Sequence, residues 1–131
     1  MANFKQISDL DKLWLIDLDG TVIIHNSHLE GEQKFTPGAI DFLQRIPPSH
    51  IVVFLTAREL KYASITEDFL ASADILYHSI LYNMPHGERI LINDIKPSGL
   101  KTAYSINVKR DNGLSNFLLQ PFLKCVNSNN T

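Results

Sequence analysis

The chain carries one cysteine, Cys125, in 131 residues. A lone thiol forms no intrachain disulfide and builds no cysteine-based zinc site, which fits a reducing cytoplasm. Long hydrophobic runs are missing as well. No segment reaches the apolar length of a bilayer-spanning helix, and residues 1–11 mix Lys5, Asp9 and Asp11 with polar groups, so neither a membrane association nor secretion is expected. Nor does either charge dominate: 12 Lys and Arg face 14 Asp and Glu, and a formal net charge of −2 makes no basic field for a polyanion. Nucleic acid is therefore not an expected partner. No internal repeat or low-complexity linker divides the chain. What is present is 44% hydrophobic residues, enough for one core. The reading is a single domain over residues 1–126 and a polar tail, residues 127–131, that has nothing to bury and frays.

The apolar residues fall into short runs. Lys12-Leu13-Trp14-Leu15-Ile16-Asp17 is continuously apolar between charged ends, the pattern of a strand buried on both faces, and is read as the first, central strand. Ile51-Val52-Val53-Phe54-Leu55 is β-branched and ends at Thr56, which predicts a second strand. Between them, Thr36 is placed to cap a helix running to Ile46, with Pro37 in its first turn and Ile40, Leu43 and Ile46 as its apolar stripe. A second helix is predicted from Glu59 to Ala73, then a short strand at Ile75-Leu76-Tyr77. Further strands are expected at Arg89–Asp94 and Thr102–Val108, a turn at Asp111-Asn112-Gly113, and a short helix over Leu114–Leu119 stopped by Pro121. Strands alternating with helices imply an α/β domain with a mostly parallel sheet. The stretch from Val22 to Phe35 holds a small hairpin or flap and no second domain.

Ligands gather at the carboxyl ends of parallel strands, and three runs stop there on polar groups: Asp17, Thr56 and Asp94. Asp17 and Asp19 alternate with Leu18, so in extended backbone both carboxylates share a side while Leu18 points into packing. Gly20 lets the chain turn sharply and the Thr21 hydroxyl can hold the turn. Two close anions at a strand end are costly unless a hard cation joins them. Magnesium suits the position, bound by Asp17 and Asp94 with waters and phosphate oxygens completing its shell. Asp17 is then able to attack phosphorus, and Asp19 to protonate the leaving oxygen and afterwards activate water.

Asp17-Leu18-Asp19-Gly20-Thr21 resembles the first motif of the haloacid dehalogenase-like (HAD) phosphatases, Leu55-Thr56-Ala57-Arg58 their second, and Ile92-Asn93-Asp94 their acidic fourth. The motifs span the chain from Lys12 to about Val108. The resemblance implies a three-layer Rossmann-like domain, with the first strand flanked by those of the second and fourth motifs. It implies magnesium-dependent hydrolysis of a phosphate monoester, a sugar phosphate among the candidates, through an aspartyl phosphate. Asp17 would be the nucleophile and Asp19 the acid and base whose carbonyl also meets the metal. Thr56 would donate to the phosphoryl group, Gly20, Thr21, Ala57 and Arg58 would line the substrate, and Asp94 with Asn93 would complete the metal site.

The chain departs from the family's third motif, where a Lys is usual. Phosphoryl transfer needs a cation for the equatorial oxygens, and Lys96 or Arg89 is expected to supply it, with His86 a further candidate. Neither the Val22 to Phe35 stretch nor the segment after Arg58 is expected to hold the inserted cap domain that many HAD enzymes carry. In the family an open site goes with larger substrates, with broad specificity, or with homo-oligomers whose copies cover one another's sites. Arg58 is read equally as a phosphate ligand or as the partner of a carboxylate. His25 and His28 are read as solvent-exposed flap residues, and His50 and His78 as structural. Two rival functions stay open: a phosphotransferase or mutase of the same chemistry, and a non-catalytic module that keeps Asp17 as a metal or phospho-acceptor site.

Overall fold

The computed structural model describes residues 7–117. The polar tail, Cys125 and the expected helix beyond Phe117 lie outside them. Three parallel strands form one sheet in the order β1 (Leu13–Asp17), β2 (Ile51–Leu55), β3 (Ser79–Leu81). Helix α1 (Ala39–Gln44) links β1 to β2, and a 3-10 turn at Leu60–Tyr62 leading into α2 (Ala63–Ser72) links β2 to β3. This is an α/β arrangement. Among the described residues no helix is long and apolar enough to cross a membrane.

The register sets which side chains share a face. Trp14 lies beside Val52 and Ile16 beside Phe54, and these residues turn toward the core. Phe42 and Leu43 of α1 and Leu70 of α2 join Ile16, Val52 and Phe54 in one cluster. The Phe42 ring stands edge-on to Trp14 at 5.9 Å, and Phe35 stacks on Phe69 at 4.3 Å. The alternate residues Leu13, Leu15 and Ile51 are exposed on the opposite face. The expectation of a first strand buried on both faces is thus corrected: the described sheet is covered on one face, because both helices contribute to the same cluster.

Four further expectations are corrected. Among the described residues β1 is an edge strand and β2 is central. Thr36 does not cap α1; its hydroxyl donates to the Thr21 carbonyl at 2.6 Å, and Gly38, at φ 75°, takes the N-cap position. The third strand begins at Ser79 rather than Ile75, because Ile75 turns into the core after α2 and pairing starts where the His78 amide donates to the Val52 carbonyl. Neither 89–94 nor 102–108 is a strand. Ile90 and Ile92 are 83% and 89% exposed, and no ladder partner meets them. An apolar run states that a segment favours being covered, not what covers it.

The flap is a compact loop rather than a free arm. The Gly20 amide donates to Ile23, the Ile24 amide to Lys34, and Ile23 bridges Phe35, so Val22 and Ile23 are buried.

Candidate active site

At the carboxyl end of β1 the chain leaves the sheet through Asp17-Leu18-Asp19-Gly20. Leu18 is fully buried, while Asp17 and Asp19 both line one open cleft of about 490 Å³. Gly20 takes φ 89°, a conformation that favours glycine, and the Thr21 hydroxyl donates back to Asp17 Oδ2 at 3.1 Å. The alternation foreseen in the sequence and the turn that follows it are what present both carboxylates.

The two carboxylates have unlike surroundings. Asp19 is held by a fork: Arg58 Nη2 and Nε donate to Oδ1 at 2.8 and 3.0 Å, and the Thr56 hydroxyl donates to Oδ2 at 2.8 Å. Arg58 is itself fixed, its Nη1 donating to Gln33 Oε1 at 2.8 Å and Thr66 Oγ1 at 2.7 Å, and its side chain is 1% exposed. Of the two roles weighed for Arg58, its geometry is that of a carboxylate partner. Asp17 is partly exposed and its Oδ1 accepts a single bond from Arg89 Nη1 at 2.9 Å, between two solvent-accessible side chains.

Gly20 and Thr21, expected to line the substrate, instead form the turn after Asp19 and do not line the cleft, and the other expected site residues divide into three sets. Asp17, Asp19, Ala57, Arg58 and Arg89 line the cleft. Thr56 lies behind it, buried, with its hydroxyl turned to Asp19. Asn93, Asp94 and Lys96 stand on the exposed segment after Arg89 and do not line the cleft. There Asn93 Nδ2 donates to Thr102 Oγ1, Thr102 donates to the Asp94 carbonyl, and Lys96 opens a turn closed by Gly99 and Leu100. Among the described residues no group of three or more His, Cys, Asp or Glu side chains gathers as a metal cage. Magnesium is commonly held by one or two carboxylates with phosphate oxygens and water. Asp17, open to the cleft, fits an ion that arrives with a phosphate better than one held by a protein cage.

His28 departs from its reading as a solvent-exposed flap residue. Its side chain is 6% exposed, its ring meets Tyr62 edge-on at 4.9 Å, and its Nδ1 stands 3.9 Å from Asp19 Oδ1 without a hydrogen bond. Burial, reinforced by the Arg58 charge, holds its pKa below the ordinary value of 6.5 despite the opposing pull of Asp19. Arg110 also lines the cleft, carried there by a turn from near the end of the described chain. Neither has a local signal in the sequence: His28 depends on packing against Tyr62, and Arg110 on a contact across ninety residues of chain. No family model, curated protein or solved structure matches the chain, so the functional reading rests on its own residues.

Proposed function

We propose that the protein hydrolyses a phosphate monoester through an aspartyl phosphate on Asp17, in the manner of the HAD phosphatases its motifs resemble. One observation carries the reading: two neighbouring carboxylates face one cleft, one open and one clamped. A nucleophile must be free to reach phosphorus, whereas an acid must be held still. Asp17 Oδ attacks phosphorus as the bond to the leaving oxygen breaks, and a proton carried on Asp19 goes to that oxygen. Water then attacks the aspartyl phosphate, Asp19 takes its proton, and phosphate leaves. Asp19 Oδ2 accepts from the Thr56 hydroxyl at 2.8 Å and from Arg58 Nε at 3.2 Å, and the hydroxyl can donate to a carboxylate or accept from a carboxylic acid as the proton comes and goes.

Arg89 is the cation the geometry favours, because its bond to Asp17 is a partly exposed ion pair worth about 0–1 kcal/mol and easily exchanged for a bond to phosphate. Magnesium, when bound with the substrate, would offset the charge between Asp17 and the phosphate. Wild-type protein with magnesium should release phosphate from 4-nitrophenyl phosphate, and a chelator should suppress this. Asp17→Asn should reduce release to background with an unchanged thermal midpoint; a variant as active as wild type would falsify the nucleophile assignment.

A second arrangement has its own observation in favour. The free edge of β1, the open apolar face of Leu13, Leu15 and Ile51, and the exposure of Ile90 and Ile92 all suit a larger, three-layer Rossmann-like domain in which 89–94 pairs with β1. That pairing would carry Asp94 and Asn93 toward Asp17 and displace Arg89, since five residues of strand span about 16 Å. Arg89→Gln and Asp94→Asn separate the two. In the described arrangement the first cuts kcat and the second does little; the reverse result supports the paired form.

A further inference from the structure

Arg110 has no role in the chemistry above, yet the fold brings it, exposed, to the lining of the cleft. The turn that carries it is tied to the first loop and the flap: the Asp111 amide donates to the Gly20 carbonyl at 2.8 Å, and the His25 amide donates to Asp111 Oδ1 at 2.7 Å. Just beyond, the Leu114 amide donates to the Pro37 carbonyl at 2.8 Å, and Gly113 lies so close to Pro37 that an added Cβ would overlap its carbonyl. Asp111 adopts φ 62° to make the turn, a conformation uncommon outside glycine. The stem of Arg110 lies over Gly20, where an added Cβ would stand 3.3 Å from Arg110 Cγ.

The charges of the cleft are otherwise matched. Asp19 has Arg58 at 2.8 Å, Asp17 has Arg89 at 2.9 Å, and Glu59 has Lys61 at 3.8 Å. Among the described residues the Arg110 guanidinium has no hydrogen bond or ion pair, and it lies outside ion-pair reach of both Asp17 and Asp19. A guanidinium is permanently charged and its planar fork suits an oxyanion. An open cleft of about 490 Å³ has room for a whole small molecule, so a phosphoryl group at Asp17 leaves most of it for the rest of the substrate.

We infer that Arg110 determines specificity by binding a second oxyanion, a carboxylate or another phosphate, on the body of a substrate whose phosphoryl group lies at Asp17. This rests on the reading of Asp17 as the phosphoryl site and adds to it the substrate class: a phosphomonoester with a further negative group.

The test uses the full chain with magnesium and three esters of matched leaving alcohol: butyl phosphate, 4-(phosphonooxy)butanoate and butane-1,4-diyl bisphosphate. Wild type should prefer one or both doubly anionic esters in kcat/KM. Arg110→Gln should lower that preference about ten- to hundredfold, the scale of a charged hydrogen bond, chiefly through KM, and Arg110→Lys should restore part of it. The ester whose preference collapses identifies carboxylate or phosphate as the second group. Equal losses on all three esters, or no preference in wild type, would overturn the inference. Calorimetric binding of 4-phosphonobutanoate against butylphosphonate gives a readout free of turnover. Tighter binding of the carboxylated compound, lost in Arg110→Gln, supports the inference even where no ester is cleaved, an outcome that would sink the phosphatase reading alone. Equal binding of the two phosphonates overturns the role of Arg110.

Discussion

Two ion pairs in the same cleft differ in what breaking them costs. Arg58 and Asp19 are both largely withdrawn from water, and Arg58 also satisfies Gln33 and Thr66. Removing one partner of a buried pair leaves an uncompensated charge, at about 3–5 kcal/mol. Arg58→Ala should lower unfolding stability by about that amount in urea titration, whereas Arg89→Ala should stay within about 1 kcal/mol of wild type. A second test concerns His50, whose buried Nδ1 accepts from Trp14 Nε1 at 3.0 Å. Burial, with Lys12 adding to it and Asp11 opposing, holds its pKa below 6.5, and protonating Nδ1 would set a donor against a donor. Here the unfolded chain binds the proton more readily. Stability should be intact above about pH 6.5 and fall as pH drops from there toward the depressed folded value, with His28 acting in the same direction. Urea midpoints at pH 7.5 and 5.5 measure this, and His50→Gln should shrink the difference between them.

At the level of elements, legibility followed how local the cause was. The runs at 13–17 and 51–55 are strands because their alternate side chains fill one core, and the Asp17-to-Thr21 turn is written in its own five residues. The third strand starts a few residues beyond the apolar run at 75–77, since Ile75 is apolar for the sake of the core, not for pairing. The run at 89–94 carries a strand's composition without a strand's partner. Its amides at 90–94 donate no backbone hydrogen bond to a described residue. They should exchange with solvent at near open-chain rates in the free protein, while Val52 and Phe54 are protected; slow exchange at 90–94 would mean that the segment pairs. Arg110 was illegible for a different reason: an Arg before an Asp-Asn-Gly turn looks like any surface residue until the turn is known to rest on Gly20.

For the molecule as a whole, the asymmetry of the sheet makes a prediction that no single element does. Phe54 lies on the covered face and is fully buried, so Phe54→Ala should cost about 3–5 kcal/mol. Leu15 lies on the open face, and Leu15→Ala should cost under about 1 kcal/mol. Comparable losses at both positions, read from denaturant midpoints, would mean that a further layer covers the second face.

The turn around Arg110 has a consequence for how the molecule is made. The loop bearing Asp17 is synthesised well before Arg110, which lines the same cleft from more than ninety positions later in the chain. A nascent chain still lacking that residue has Arg58 and Arg89 to pair with its carboxylates but not the additional cation of Arg110. On the role proposed for Arg110, recognition of a second anion would be acquired only once that turn is made, and a protease that clips the turn would undo it while leaving the three strands in place.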